Sequence, residues 1–422
     1  MGLLASRFRE EMRKSKDPRM AEASGDVLYP TGFPTLDYLN GHKVHVMDPN
    51  GMESFYNALG IVDGSSVEII GRSGSGKTTL AWQMAGFQAH MFPEVIIIAD
   101  DIEAGSNMSR REALTGFHGE ELDNKIIYRN AAVTAETFYM RIHSIYEEKM
   151  THKADYEYNT GFLDTRGNPI YKLYPTIYIL DSLAMLTTDK LSELDELSGQ
   201  MGATSIAKSN TAVFKGIIPK LKAANIILYS INHINDKIEI NAFTHTKASI
   251  AGLKPGETVP GGKAAQYLAN NLIRVDDGAV LKESEGLGIS GKIVDISFVK
   301  SRTNSTLNRS VPMVFTADNG FDPILSLFMF LKSVGGIEMK GSTCVLKDHE
   351  DMKFTQKGFL EKLYNDAEFA KAFNEVSKIE LEKLLATGKY VEDETQKSYN
   401  NIINSFYWLW WWRLCLKTIM IW

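Results

Sequence analysis

Apolar runs separated by polar or glycine-bearing stretches set the reading of this chain. Residues 67–70, 95–99, 177–180 and 226–231 are short, continuous and rich in β-branched side chains. Runs of that kind predict strands buried on both faces, as in a parallel sheet. Residues 272–275 and 293–299 predict two more strands. Helical composition or spacing marks 80–85, 135–149, 213–224 and 354–385, the last with Phe359, Leu363, Phe369, Phe373, Val376, Leu381 and Leu385 on one stripe. Strands alternating with helices predict an α/β fold around a central, mostly parallel sheet. Residues 151–174 are polar and aromatic, with Gly161, Gly167 and Pro169 as turn signals, and predict an inserted hairpin or excursion. Ahead of all this, Leu3, Leu4, Phe8 and Met12 are spaced as a short amphipathic helix in a charged arm. A solvated arm and a helix docking on a neighbouring subunit both fit.

The first strand leads into the most informative stretch, VEIIGRSGSGKTT. Gly71, Arg72, Ser73, Gly74, Ser75, Gly76, Lys77, Thr78 and Thr79 match the phosphate-binding pattern of strand, glycine loop and helix. Its glycines let successive backbone N–H groups turn inward toward phosphate oxygens, and the helix that follows adds the positive end of its dipole. Lys77 offers a charge to the outer phosphates, and the Thr78 hydroxyl is a magnesium ligand. A nucleoside triphosphate and Mg2+ are therefore the cofactors predicted.

Other strand ends carry matching chemistry. The 95–99 run stops at Asp100, Asp101 and Glu103, where ligands bind in open α/β sheets. One of these carboxylates suits a water facing the terminal phosphate; turn carboxylates capping the next helix are the plainer alternative. Four apolar residues precede Asp181, the arrangement of a second magnesium-holding acid. The 226–231 run ends at Asn232-His233, a polar pair suited to sensing a phosphate. The 293–299 run ends in a basic pair, Lys300 and Arg302. Residues 187–210 are polar and predict a mobile loop, and residues 235–263 form a second long glycine-bearing connection.

Composition narrows the setting. With 422 residues there is room for one large domain and small appendages. The net charge of -6 excludes bulk basicity, so nucleic-acid binding has to come from local patches. Cys344 and Cys415 lack metal-ligand or CxxC spacing, which points to a reducing cytosol. The charged start is no secretory signal. The terminal IINSFYWLWWWRLCLKTIMIW holds five of the six tryptophans but is interrupted by Arg413 and Lys417. A membrane-seeking tail, a buried docking segment and an atypical terminus without a designed role all remain open for it.

In chain order, TGFPTLDYLNG, GRSGSGKTT, IIIADDIEAG, IYILDSLAML, ILYSINHIND, VPGGKAAQYLAN and FVKSRT are similar to the core of RecA-type recombinases, closest to the phage UvsX-like branch. The resemblance covers roughly residues 31–322. It implies a RecA-like P-loop NTPase core at 29–325, flanked by the arm at 1–28, a small helical C-terminal region at 326–400 and the atypical tail at 401–422, which has no counterpart in the family. It also implies a DNA-dependent ATPase that forms filaments on single-stranded DNA and pairs it with homologous duplex, with ATP between subunits of a homo-oligomer. By the same resemblance, Glu103 activates the hydrolytic water, and Lys77 and Thr78 hold phosphate and magnesium with Asp181. His233 senses the γ-phosphate, while Lys300 and Arg302 reach the phosphate of an adjacent subunit. DNA-binding loops fall near 189–210 and 235–263, with Lys208, Gly261, Gly262 and Lys263 as contacts. Arg110 stands where the family often stacks a tyrosine on adenine, which leaves the base contact open. A single-strand-binding protein and a mediator are implied partners, no membrane is expected, and the location is cytoplasmic, in a phage-infected host. The alternative enzyme is a ring helicase or DNA motor with the same core; a non-enzymatic class is a recombination mediator.

Overall fold

A nine-stranded sheet organises the chain. The computed structural model describes residues 26–47, 50–164, 167–189, 199–236, 252–284, 286–303 and 309–385. Nearly all of the arm, residues 190–198 and 237–251 of the two expected DNA loops, and the whole tryptophan-rich tail lie outside the described residues. In chain order the sheet strands are β1 (Ser66–Gly71), β2 (Ile97–Asp101), β3 (Ile126–Arg129), β4 (Thr176–Asp181), β5 (Ile226–His233), β6 (Asn271–Leu281), β7 (Gly291–Ser301), β8 (Ser310–Thr316) and β9 (Gly320–Asp322). Their spatial order is β9-β8-β7-β6-β1-β5-β4-β2-β3. From β6 to β3 every pairing is parallel, and from β6 to β9 every pairing is antiparallel.

The apolar runs are continuous because both faces of the parallel half are covered. Ile177, Ile179, Ile227 and Tyr229 pack on one face with Leu80, Ala81 and Met84 of helix α1 (Lys77–Ala89). Tyr178, Leu180, Ile226 and Leu228 pack on the other. There they meet Phe138 and Ile142 of α2 (Ala135–Thr151) and Phe214, Ile217 and Leu221 of α3 (Gly199–Ala224). Alternation between two buried faces is what a period of two gives when neither face is wet.

Several boundaries differ from the sequence expectation. The second strand runs over Ile97–Asp101, two residues later than its apolar run. Val95 still belongs to the turn, its N–H on the Phe92 carbonyl, and pairing with β4 draws in Asp100 and Asp101. The β6 and β7 strands outrun their apolar cores because they form one long antiparallel hairpin whose outer residues are exposed. Residues 199–210, expected within a mobile loop, form the first turns of α3. The expected excursion is a hairpin, Glu157–Leu163 against Pro169–Leu173. A second hairpin, His42–Met47 against Glu53–Ala58, lies ahead of β1.

The C-terminal region is not purely helical. Helix α4 (Pro323–Val334) spans the expected boundary at 325 without a break. Its start is sharp because Asp322 Oδ1 accepts from the N–H groups of Ile324 and Leu325, with Pro323 at the first position. Ile324, Leu325, Leu327, Phe328, Phe330 and Leu331 are all buried, so no polar face marks a domain edge. A three-stranded sheet follows, Ile337–Lys340, Thr343–Leu346 and His349–Phe354, and then helices Phe359–Asn365 and Ala367–Glu382. Phe354, Phe359, Phe369 and Phe373 close onto Phe328 in the same core as the main sheet. Phe354, assigned to a helix from its spacing, ends a strand. Among the described residues, Cys344 is buried and free, and no helix is long and apolar enough to cross a membrane.

One core strand carries a buried acid. Glu68 is fully buried in β1; its Oε1 accepts from Asn232 Nδ2 at 3.1 Å and Gln266 Nε2 at 2.7 Å, and its Oε2 has no partner. Burial pushes the carboxyl up to about 7, against the opposing pull of those two bonds and the Lys300 charge. The folded state thus holds a proton that the unfolded chain releases near its ordinary value. Stability is expected to fall as pH rises from about 4.5 to about 7, by a sum of order 3 kcal/mol. Glu68→Gln should flatten that slope and be the more stable protein at pH 8, measured by chemical denaturation at pH 5 and pH 8.

Candidate functional site

The loop between β1 and α1 owes its shape to its glycines. Gly74 and Gly76 sit in left-handed backbone at φ 75 and 100. A Cβ on Gly71 would stand 2.6 Å from both Ser75 Oγ and the Val275 carbonyl. No side chain caps the start of α1, so its first N–H groups keep their polarity for something else. Lys77 is 4% exposed and its Nζ donates to the Arg72 carbonyl at 2.7 Å. Burial lowers its pKa, opposed by the charges of Asp181 and Glu103.

Parallel register delivers acids to the same place. Thr78 Oγ1 donates to Asp181 Oδ2 at 2.6 Å, while Asp181 Oδ1 is buried without a partner. Burial pushes Asp181 up to about 6; the Thr78 bond resists, and the charges of Glu103 and Asp101 add to the rise. Glu103 follows β2 directly. Its Oε1 accepts from Ser182 Oγ at 2.6 Å and meets His233 Nε2 at 2.8 Å. Burial would raise its pKa, but those two bonds and the charges of His233 and Lys77 outweigh it and hold the carboxyl below its usual range. His233 pairs across from Gly71. Lys77, Thr78, Asp181, Glu103 and His233 therefore converge at one mouth.

The neighbouring acids do different work. Asp100 is fully buried on the α2 face, bound by Arg129, Arg141 and Tyr178. Asp101 fixes the turn that carries Glu103: Oδ1 accepts from Gly105 N–H at 3.2 Å, and Oδ2 from Ser106 N–H and the Tyr128 hydroxyl, each at 2.9 Å.

Arg110 lies on the helix Met108–Thr115 and places its guanidinium on the carbonyls of Ala317 and Asp318, both at 2.9 Å, and on Thr79 Oγ1 at 3.4 Å. Two backbone oxygens and one hydroxyl thus hold its guanidinium. Lys208 stands on α3. The Gly261 carbonyl accepts from Asn210 Nδ2 at 2.9 Å, and a Cβ on Gly262 would meet Ala207 at 3.0 Å. The glycine pair thus needs its left-handed backbone and packs on the α3 turn beside Lys208. Lys263 starts the short helix Ala264–Leu268.

Lys300 and Arg302 are not at the mouth. Lys300 Nζ donates to the carbonyls of Gln266 and Tyr267, and Arg302 Nη2 to that of Tyr267. Burial pushes Lys300 down to about 8, with Arg302 adding to the fall. On the same strand, eight residues earlier, Lys292 Nζ reaches the Gly74 carbonyl at 2.7 Å and pairs with Asp277. Eight strand residues separate the two lysines by about 25 Å. Sequence reasoning missed Lys292, because only the antiparallel return of β7 brings it to the loop. It also missed a charged cluster beside the loop. Arg72 grips Asp236 through two bonds of 2.8 and 2.6 Å, and Arg274 grips Glu257 through bonds of 2.6 and 2.9 Å. A central arginine in a strand was the one available signal.

The donor set fits a phosphate with a divalent cation. A hydroxyl, an unpartnered carboxylate oxygen, a buried ammonium and a glycine cradle are present together. Among the described residues no three His, Cys, Asp or Glu side chains form a metal cluster. Magnesium is commonly held by one or two protein oxygens and substrate phosphates, so none is needed. No family model matches the chain, and no curated protein matches its sequence.

Asp101→Asn keeps one acceptor oxygen and replaces the other with a donor facing N–H or O–H groups. It should cost about 1–3 kcal/mol. Exchange of the Gly105 and Ser106 amides should quicken markedly, read by hydrogen exchange; unchanged protection would remove Asp101 as the support of the Glu103 turn.

Proposed function

We propose that this protein is a RecA-type, DNA-dependent ATPase that forms filaments on single-stranded DNA and carries out homologous pairing and strand exchange. The observation that carries the reading is the meeting of Lys77, Thr78, Asp181, Glu103 and His233 at the mouth of one glycine loop. Motif order along the chain adds to it.

In this reading each residue has a role that its position supports. Backbone amides of residues 72–78 and the Lys77 ammonium hold the phosphates. Thr78 Oγ1 and Asp181 are the protein oxygens for Mg2+, which when bound spreads phosphate charge. Glu103 is ionised at neutral pH and oriented by two donors on Oε1; it takes the proton of the attacking water. His233 links that carboxylate to the strand end leading into residues 235–263, so that the phosphate and the DNA elements are felt by one another. Lys208, Gly261, Gly262 and Lys263 offer sequence-neutral contacts to DNA phosphates, leaving specificity to base pairing.

Lys300, with Arg302 just past the strand end, stands about 25 Å along β7 from the lysine that touches its own glycine loop. Their cationic service is to the triphosphate of a neighbouring subunit, which makes hydrolysis depend on assembly. Single-strand-binding and mediator proteins, and the cytoplasm of a phage-infected cell, are the setting that goes with this activity.

Glu103→Ala should lower kcat for ATP hydrolysis by about 100-fold or more while leaving ATP affinity within a few-fold. Persisting turnover would unseat Glu103 as the base. Electron microscopy with single-stranded DNA and a non-hydrolysable ATP analogue should show helical filaments. Closed rings would favour a helicase or motor with the same core. DNA affinity should fall steeply with salt, and a salt-independent affinity would rule out the phosphate-gripping loops.

A further inference from the structure

One glycine-loop residue is engaged away from the mouth. Arg72 points its guanidinium at Asp236, with Nη1 on Oδ2 at 2.8 Å and Nη2 on Oδ1 at 2.6 Å. Both side chains are more than half exposed. Asp236 comes three residues after His233 and belongs to a two-residue ladder, Asn235–Asp236 against Glu257–Thr258. Its ladder partner Glu257 lies 3.9 Å from Arg72 and is itself locked, buried, against Arg274. Arg274 is in turn clamped by Asp276 and the Gly252 carbonyl. The Glu257 side of the ladder is therefore rigid. The Asp236 side is held to the glycine loop by a solvent-facing ion pair. Just beyond, the Pro260 carbonyl accepts from Asn232 Nδ2, so the ladder adjoins the Gly261–Gly262 turn.

We infer that Arg72 is a positioning residue with two alternative anionic partners, Asp236 and the polyphosphate of the bound nucleotide. A guanidinium prefers the partner with more negative charge and more acceptor oxygens, and a triphosphate exceeds a single carboxylate on both counts. Arg72 is one residue past Gly71, at the edge of the cradle, so a change of rotamer is enough to exchange partners. On exchange, Asp236 loses its tie to the loop while Glu257 stays fixed. The Asn235–Asp236 side of the ladder is then free to shift relative to the fixed Glu257 side and the Gly261–Gly262 turn that follows it. The inference rests on the proposed nucleotide site and adds a second link between it and the Asn235–Asp236/Glu257–Thr258 ladder, independent of His233.

The test uses the full-length protein, a fluorescent ATP analogue in Mg2+ and a labelled single-stranded oligonucleotide. Asp236→Asn removes the competitor and should tighten nucleotide binding by up to about 5-fold, as expected for losing an exposed ion pair. Arg72→Gln removes the shared cation and should weaken it by about 10-fold. In Arg72→Gln the further change Asp236→Asn should do nothing. Asp236→Asn should also raise DNA affinity without nucleotide, narrowing the ratio between the two states. A purely structural clasp predicts the same direction for both single variants, so shifts of one sign, or none, overturn the inference while nucleotide binding by the parent protein leaves the proposed function standing. A parent protein that fails to bind the analogue overturns both. Circular dichroism and melting of each exposed-site variant establish that the fold is intact.

Discussion

Parallel pairing with matched ends is the constraint on which the rest depends. Gly71 lies opposite His233, and Asp181 opposite Asp101. Four strands that run the same way and stop near the same level bring their terminal residues to one edge with no loop having to fold back. A slip of one residue in β5 would turn His233 to the other face and bury a different set against α1. The two-faced core resists that slip. Ile227, Tyr229 and Ile231 already fill one side, while Ile226 and Leu228 fill the other. Hydrophobic packing thus sets the geometry of the polar mouth.

The mouth is costly, and the chain holds it by specific bonds. Lys77 and Asp181 are buried near one another, each pushed toward its neutral form by desolvation. Glu103 escapes that fate because Ser182 and His233 both bond to it. Around them lie supports with no chemistry of their own: Asp101 under the Glu103 turn, and Asp100 with its two arginines under β2. Two buried polar atoms at the mouth, Ser75 Oγ and Asp181 Oδ1, have no partner. A core optimised only for stability would pair or remove such atoms.

Much of this was legible in the sequence. Continuous apolar runs identified the sheet strands at 67–70, 95–99, 177–180 and 226–231 to within a few residues, because both faces are buried there, and the runs at 272–275 and 293–299 marked the middles of two longer strands. Glycines at 71, 74 and 76 pointed to the loop, since only they tolerate its backbone. Residues whose role depends on topology were not legible. Lys292 sits in an ordinary polar position and reaches the loop only because β7 returns antiparallel beside β6. The Asp236–Glu257 ladder closes across more than twenty residues, so neither acid announces its partner. The helical stripe at 354–385 misassigned Phe354, because a strand residue and a helix residue facing the same aromatic cluster carry the same apolar signal.

The antiparallel half of the sheet gives the molecule its second end. Strand β7 is long enough to put Lys292 at the glycine loop and Lys300 at the opposite margin, where Lys300 and Arg302 brace the carbonyls that end the Ala264–Leu268 helix. Those carbonyls follow directly on the Gly261–Gly262 turn packed against α3. A lysine pushed down to about 8 by burial, bonded only to neutral oxygens, gains from meeting a polyanion. Under the proposed reading, a neighbour's triphosphate arriving there competes with the Gln266 and Tyr267 carbonyls for the same ammonium. The helix end and the glycine turn would then respond to the adjoining subunit's nucleotide, while β7 at Lys300 stays paired to β6. Assembly and DNA grip are in that arrangement two consequences of where one cation is satisfied.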